Sequence, residues 1–283
     1  MAAAVRRRDL YAALEALAPL ALAEDWDNVG VLLDPYGGDA IERVLLAIDL
    51  NESVADEAIG WGADAIVAYH PPIFGGVKRL TPADAQGRML LRLIGAGVPV
   101  YAPHTALDAA VGGMAEWLAA SLGDSAMLAP IAPCARRPLD SSVGQGRMGM
   151  LATAIPLEDA IERVKAHLGL QHVRVATAAR HSATKADGTP GGQEPAPIER
   201  FAVCPGAGGA LLNKVQGMDL LLTGELRHHD VLAHLGAGTS VILTDHSASE
   251  RGYLPLLAQR LQPLLPGVAL RVSSRDVEPL VTR

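Results

Sequence analysis

Residues 44–70 read VLLAIDLNESVADEAIGWGADAIVAYH, and this stretch indicates the class of fold. Short apolar runs at 44–49 and 65–70 flank a segment from about Glu52 to Gly60 that has the apolar spacing of a helix. Two strands separated by a helix of this length form a βαβ unit, in which the strands are parallel neighbours in one sheet. The stretch therefore predicts an α/β protein with a mainly parallel sheet.

The same alternation of strands and helices occupies both ends of the chain and is interrupted in the middle. We predict an N-terminal α/β half over residues 1–125 and a C-terminal α/β half over residues 200–283. Residues 126–199 form a less regular middle segment. Within it, residues 181–198 are polar and rich in Gly and Pro, which predicts an exposed, poorly ordered loop.

The composition fits a compact globular protein and disfavours one class of partner. The chain has 283 residues, 49% of them hydrophobic and 19% charged, with a formal net charge of −7. Gripping a nucleic acid backbone requires a concentrated basic surface, so direct nucleic-acid binding is not expected. The single basic cluster, Arg6 to Arg8, is better explained as the solvated start of a helix than as a binding patch.

The cysteines and the longest apolar runs bear on thiol chemistry and on the cellular location of the protein. Cys134 and Cys204 are too few and too far apart for a disulfide framework or a cysteine zinc site, and neither is in a CxxC motif. A thiol or redox enzyme therefore has little support. Because no apolar run reaches the roughly 20 residues of a membrane helix, we expect a cytoplasmic protein that does not contact membranes.

Three apolar strands of the predicted sheets end on a histidine, namely His70, His104 and His246. In parallel α/β sheets, ligands bind beyond the carboxyl ends of the strands. Pro71 and Pro72 stop the first of these strands because proline has no N–H for the ladder. A single histidine at such a position is most often a packed rim residue, but three equivalent ones favour a shared site.

Carboxylates follow two of these histidines at a spacing that suits a shared cation. Asp108 comes four residues after His104, and Glu250 comes four residues after His246. On a helical turn this spacing stacks both side chains on one face, and imidazole with carboxylate suits zinc, manganese or iron. The alternative is an acid favoured by the helix dipole with a histidine nearby by chance, and recurrence at two strands argues against it.

A fourth strand ends on Glu225 and leads into His228 and His229. Adjacent residues on a helix diverge by about 100 degrees, so both histidines cannot point into one site equally well. Glu225 and His228 are therefore candidates for proton transfer, and solvent-facing histidines are an equally good reading of this turn. The Gly-rich stretch CPGAGGALLNKV at 204–215 is better explained as a tight turn than as an anion site, because it lacks a P-loop pattern.

Five ordered motifs carry a resemblance that extends from about Asp25 to Leu261. They are EDWDNVGVLL, YHPPIFGGVKRLT, YAPHTALDAAVGGMAEWLA, LLTGELRHHDVL and DHSASERGYLPLLAQRL. Together they resemble the Nif-three-like dinuclear-metal hexameric proteins, which are also labelled GTP cyclohydrolase I type 2 homologues. The resemblance implies a Nif-three-like α/β fold with two α/β halves around a metal-binding cleft, and a homohexamer.

Carried over position by position, the resemblance implies a set of metal ligands that coincides with the strand-end residues. These ligands are His70, His104, Asp108, His246 and Glu250. One departure concerns Tyr69, because the bacterial pattern has a second histidine there and the YHPP form is similar to eukaryotic members. A phenol with a pKa of about 10 is a poorer ligand than imidazole at neutral pH. We therefore expect one or two divalent ions per chain.

Two hypotheses of function follow from these residues. In the first, the protein is a metal-dependent hydrolase that acts on GTP or on another nucleotide or phosphorylated small molecule, with Glu225 or His228 moving protons. In the second, it is a non-catalytic, metal-binding hexameric protein with a regulatory or interaction role. The family name comes from an interaction with a transcription factor, and the acidic chain leaves protein partners open.

Overall fold

The computed structural model describes residues 5–183 and 194–280. Most of the loop predicted near 181–198 lies outside the described residues, since these omit 184–193. Within the described part of the chain, no helix is both long enough and apolar enough to span a membrane.

The helices and strands alternate along most of the chain. The helices of the described residues are α1 Arg7–Leu17, α2 Glu52–Trp61, α3 Ala85–Ala96, α4 His104–Ala109, α5 Met114–Ala120, α6 Leu157–Leu168, α7 Gly209–Leu212, α8 His228–Gly236 and α9 Leu254–Leu261. The strands are β1 Gly30–Leu33, β2 Arg43–Ala47, β3 Ala65–Ala68, β4 Val100–Ala102, β5 Ser125–Ala129, β6 Ala132–Pro133, β7 Gly144–Gln145, β8 Arg147–Ile155, β9 Arg174–Ala176, β10 Ile198–Ala207, β11 Leu220–Glu225, β12 Ser240–Leu243 and β13 Ala269–Val272. The α/β class predicted from the sequence is confirmed.

The elements form two compact units, Met1–Ala110 with Tyr253–Arg283, and Val111–Gly252. This grouping differs from the three-part division at residues 125 and 199 that we expected. The strands β8 and β9 of the middle segment belong to the same sheet as β10, β11 and β12, and the C-terminal strand β13 pairs with β2. Ladder hydrogen bonds between strands that are distant in sequence decide the grouping, and chain order does not show them.

The first unit contains a five-stranded sheet in the order β1-β4-β3-β2-β13. All its pairings are parallel except β1 with β4, which confirms the βαβ reading of residues 44–70. Helix α2 begins where the side chain of Asn51 caps the N–H of Val54, and it ends at Gly62, whose φ is +70°. Its apolar face packs on the sheet through Val54 and Ala58. The carboxyl ends of β2, β3 and β4 consequently lie side by side at one edge.

The second unit contains a six-stranded sheet in the order β5-β8-β10-β11-β12-β9. Only its central strands β10, β11 and β12 are parallel to one another, and the outer pairings are antiparallel. The prediction of a mainly parallel sheet therefore holds for the centre of this unit and is wrong for its flanks. Phe201, Leu222 and Ile242 on the central strands are fully buried in the core, together with Leu118 and Val164 from the helices.

Candidate metal centre

The first unit brings His70 and His104 together at the edge where its parallel strands end. His70 comes two residues after β3, and His104 comes two residues after β4. Their ring centroids are 5.4 Å apart, with the rings nearly perpendicular. The structure therefore places these two predicted ligands in one cluster, as expected for the carboxyl ends of adjacent parallel strands.

Each of the two histidines is held by a carboxylate at its Nδ1 atom. Nδ1 of His70 lies 2.9 Å from Oδ1 of Asp49, and Nδ1 of His104 lies 2.8 Å from Oδ1 of Asp27. A carboxylate at Nδ1 favours the tautomer that carries its proton there, so that Nε2 is the nitrogen able to bind a cation. Both rings are thereby oriented for binding through Nε2.

The Asp27 carboxylate is a fixed negative charge. Burial alone raises its pKa, but hydrogen bonds from His104 and Thr105 outweigh burial, and the net pKa is lowered. Its side chain is fully buried, and its Oδ2 accepts from the backbone N–H of Thr105 at 3.1 Å and from the Thr105 hydroxyl at 2.5 Å. Asp27 is therefore ionised at neutral pH and can accept a hydrogen bond from Nδ1 of His104.

Tyr69 is part of the same cluster as a hydrogen-bond donor. Its side chain is buried, its ring meets His104 edge-on, and its hydroxyl lies 2.5 Å from Oδ1 of Asp108. Asp108 is on α4, which begins at His104, so the two predicted ligands are four residues apart on one helix. In this arrangement the phenol donates to a proposed ligand, which is a role the sequence did not indicate.

The second unit brings His246 together with two carboxylates. Glu225 ends β11, and His246 follows the parallel neighbour β12. Oε1 of Glu225 lies 3.6 Å from Nδ1 of His246, and Oε1 of Glu250 lies 3.6 Å from Nε2. Glu250 is buried, whereas His246 is partly exposed. The donor atoms of this group, imidazole nitrogen and carboxylate oxygen, suit zinc, manganese or iron.

The turn that joins His246 to Glu250 differs from the one predicted. The spacing argument assumed an α-helical turn after His246, but Ser247–Ser249 is a single turn of 3-10 helix, and α9 begins only at Leu254. In a 3-10 turn, residues three apart are on the same side, and Glu250, which is four residues after His246 and just past the turn, still lies 3.6 Å from Nε2 of His246. The two side chains are therefore close to each other, although the turn between them is not α-helical.

Gly206 is a site residue that sequence reasoning missed. It has a φ of +60°, and a Cβ atom there would lie 2.6 Å from Oε1 of Glu250 and 2.9 Å from Nε2 of His246. Its N–H donates to Oγ of Ser249 at 2.8 Å, and that hydroxyl is 2.6 Å from the carbonyl oxygen of His246. Only glycine allows the backbone to approach the pair this closely. The Gly-rich stretch at 204–215 contained this signal.

The two carboxylates of the first unit were missed as well. Asp49 is two residues past β2, so the rule that selected the histidines would also have selected it. Asp27 precedes β1 and does not follow a parallel strand, so the rule does not reach it. Its only signal was the EDWDNVG stretch, which entered through the family resemblance.

The two candidates for proton transfer are placed differently. The structure brings Glu225 to His246, as described above. His228 is the first residue of α8, where its exposed ring lies 5.5 Å from that of His229. This position matches the solvent-facing alternative, and proton transfer by His228 stays a prediction.

A cavity of about 610 Å³ opens beside Glu225 within the second unit. Its lining includes Asn213, Lys214 and Arg227, and Arg227 also pairs with Asp230 at 2.9 Å. Small-molecule sites are commonly about 300–1,000 Å³ in volume, so the cavity is of a suitable size for such a ligand.

Comparisons with known proteins agree with the motifs. The family model for Duf34/NIF3 (NGG1p interacting factor 3) matches residues 5–279. The chain is 40% identical over 270 residues to Protein NIF3 homolog of Schizosaccharomyces pombe, with 92% of each chain covered. It is 34% identical to NIF3-like protein 1 of Drosophila melanogaster, covering 95% of this chain and 86% of that protein.

A solved structure shows the same fold. The Bacillus cereus protein related to NIF3 superposes with a TM-score of 0.79 at 19% identity, covering 98% of this chain and 99% of that one. The family model and the relatives of 34% and 40% identity confirm the family resemblance inferred from the five motifs. The chain belongs to the Duf34/NIF3 family.

Proposed function

We propose that this protein is a metal-dependent hydrolase that acts on a nucleotide or another phosphorylated small molecule. It binds one or two divalent ions, zinc, manganese or iron, and works as a homohexamer. The proposed ligands are His70, His104, Asp108, His246 and Glu250. Of these, His70, His104 and Asp108 belong to the first unit, and His246 and Glu250 belong to the second.

The observation that carries the proposal is the pairing of His70 with Asp49 and of His104 with Asp27. Histidines that bind metals almost always donate their other ring N–H to a carboxylate, a carbonyl or a water. Two neighbouring histidines at the ends of adjacent strands both have this arrangement, whereas a structural ion pair would need only one. Glu250 supports the proposal as well, because its buried carboxylate lies 3.6 Å from Nε2 of His246, and carboxylate oxygen with imidazole nitrogen is a common ligand set for these metals.

The residues around the proposed ligands have separate tasks in this hydrolysis. A bound divalent ion would supply Lewis acidity that activates water and polarises a phosphoryl or carbonyl oxygen. Asp27 and Asp49 hold the imidazoles in the ligating tautomer. Glu225 is exposed and lies beside His246, so it is the residue we assign to accept a proton. The cavity next to Glu225 would receive the rest of the substrate, with Lys214 available for an anionic group.

Metal analysis of the purified protein tests the ligand set. We expect His104→Ala and Glu250→Gln each to lose at least nine-tenths of the bound metal, while His172→Ala, a change at an exposed histidine, keeps it. Thermal unfolding of each variant in the metal-free state distinguishes ligand loss from misfolding. Full metal retention by both ligand variants would overturn the proposed centre.

A second function is favoured by a different observation, the description of the family as NGG1p interacting factor 3. In that case the chain binds metal and a protein partner without turnover. Incubation of the metal-loaded protein with GTP and a panel of phosphoesters separates the two functions. Hydrolysis that is lost in Glu225→Gln, with metal retained, supports the enzyme. Unchanged substrates together with thermal stabilisation by a ligand support the binding role.

A further inference from the structure

An exposed aromatic pair lies against His104 in the first unit. The chain has three Trp and two Phe residues, and one of each stands in this pair, Trp26 at 60% exposure and Phe74 at 55%. Their ring centroids are 6.0 Å apart with the planes tilted by 48°. Trp26 also meets the His104 ring edge-on, with 6.1 Å between centroids. Large aromatic surface of this kind is normally buried, so its exposure beside a proposed ligand needs a reason.

The pair is held firmly by its backbone even though its rings face solvent. Asp27, the residue after Trp26, is anchored by His104 and Thr105, and its N–H lies 3.1 Å from the carbonyl oxygen of Glu24. The Glu24 N–H in turn donates to the Thr105 hydroxyl at 3.1 Å. The turn that carries Trp26 is therefore fixed at both ends.

The backbone before Phe74 is fixed to the same turn. The side-chain amide of Asn28 donates to the carbonyl oxygen of Ile73 at 2.6 Å. This bond ties the loop after β3 to the stretch that carries Trp26. Folding therefore already orders the two loops. A ligand does not have to order them again, so the entropic cost of binding is lower.

We propose that Trp26, with Phe74 beside it, is a stacking platform for the planar heteroaromatic ring of the small molecule that is processed at His104. The proposal deepens the proposed function, on which it rests, by assigning the substrate class a flat aromatic base. Because the planes of the pair are tilted, a ligand ring stacks on one of them and meets the other at its edge. Stacking on an aromatic side chain tolerates different bases, since every base has a π face.

Calorimetric titration of the metal-loaded protein with guanosine 5′-monophosphate, adenosine 5′-monophosphate and ribose 5-phosphate tests the platform. Both nucleotides should bind more tightly than ribose 5-phosphate, which has the same phosphate but no base. Trp26→Ala should weaken nucleotide binding about tenfold or more and leave ribose 5-phosphate unchanged. Trp26→Phe should stay within about threefold of the wild type, because a six-membered aromatic face remains.

Tyr36→Ala is the matched control, since Tyr36 is a fully exposed aromatic residue of the same unit. It should bind both nucleotides like the wild type. Equal affinity of the wild type for the nucleotides and for ribose 5-phosphate would overturn the proposal, and so would wild-type affinity in Trp26→Ala. A change in sedimentation of Trp26→Ala with intact nucleotide binding would assign the pair to contact between copies instead.

Metal content and nucleotide binding separate this inference from the proposed function. If the protein holds no metal but Trp26→Ala still weakens base binding, the hydrolase proposal fails and the platform stands. If metal binding and hydrolysis occur but Trp26→Ala behaves as the wild type, only the platform fails. Loss of metal in Trp26→Ala would show that the ring acts by positioning His104, which contradicts stacking as its role.

Discussion

The two units hold their strand-end histidines in different ways. In the first unit, His70 and His104 each form a hydrogen bond of 2.8–2.9 Å to a carboxylate, and their side chains are 22% and 16% exposed. In the second unit, His246 is 38% exposed and lies 3.6 Å from each of two carboxylates, which is longer than a hydrogen bond. The first unit is thus preorganised by polar contacts. In the second unit, the backbone at Gly206 comes close to both His246 and Glu250.

Both units share one feature, a non-glycine residue with positive φ at a strand end. His104 has a φ of +28° and Asp245, directly before His246, has a φ of +67°. Such conformations cost free energy for residues that carry a Cβ atom, and they persist where the surroundings fix them. In the first unit the bonds to Asp27 fix the strained residue. In the second, Arg174 contacts the Asp245 carboxylate at 2.8 Å. The difference between the units lies in how the ligands are held, and substitutions can test it.

The largest effect is expected from Gly206→Ala, which would disrupt the second unit alone. The new methyl group would collide with His246 and Glu250 and would carry left-handed strain, so we expect a loss of about 3 kcal/mol in the free energy of unfolding. Metal affinity should fall more than 100-fold, as measured by competition with a chelator.

Gly217→Ala is the control for this change. Gly217 also has a positive φ, of +72°, but a Cβ atom there would meet no atom within 4 Å. It should cost only the strain, about 1–2 kcal/mol, and leave metal affinity unchanged. Equal metal affinities in the two variants would show that crowding of the pair is not what matters at Gly206.

Comparing Asp27→Asn with Glu225→Gln tests directly whether the histidines of the two units are held in different ways. Removing the charge that orients His104 should lower metal affinity about 10- to 100-fold. Glu225→Gln should change it less than about threefold, because Glu225 is not hydrogen-bonded to His246. Isothermal titration with zinc measures both values. If the two variants lose metal affinity equally, the histidines of the two units are held in the same way, and the proposed difference between the units is wrong.

Tyr69→Phe should have a moderate effect, about three- to tenfold on metal affinity, because it removes the hydroxyl that orients Asp108. A loss as large as that of His70→Ala would instead identify the phenol oxygen as a ligand. Tyr101→Phe is the control, since the hydroxyl of Tyr101 is buried and, among the described residues, has no hydrogen-bond partner. Burial raises the pKa of Tyr101, so its phenol is neutral at pH 7 and Tyr101→Phe changes no charge.

The smallest effect on metal is expected from Asp219→Asn in the second unit. Burial raises the pKa of Asp219, but bonds from the backbone of Arg200 and Glu199 and from Arg180 outweigh it, and the net pKa is lowered. Its carboxylate therefore stabilises the fold above its unfolded pKa of about 3.9, and this stability is lost as the pH falls through the folded value.

Urea unfolding of the metal-free protein measures the consequence. Asp219→Asn should cost about 1 kcal/mol at pH 7, and the difference from the wild type should shrink below about pH 4. Metal content at pH 7 should equal that of the wild type. A difference in stability that stays constant down to pH 3, or a loss of metal, would contradict a purely structural role for this carboxylate.

Much of the fold and part of the site could be predicted from local patterns. The βαβ stretch at 44–70 specified its elements because apolar periodicity and the cap at Asn51 act within a few residues. The strand-end rule selected the three histidines and Glu225, and the four-residue spacing selected Asp108 and Glu250. The antiparallel flanks of the second sheet and the return of β13 to the first unit were not predictable in this way, because strand pairing depends on distant residues.

The sequence by itself determined the α/β class, the family, and the residue types able to bind a metal, because these follow from short-range periodicity and ordered motifs. Only the tertiary structure showed that Asp27 and Asp49 hold the histidines, that Tyr69 donates to Asp108, and that Gly206 makes room for His246 and Glu250. Asp49 and Asp27 are 21 and 77 positions from the histidines they contact, and the other contacts join residues about 40 positions apart. Their distances are set by how the strands and loops pack, which no local pattern contains.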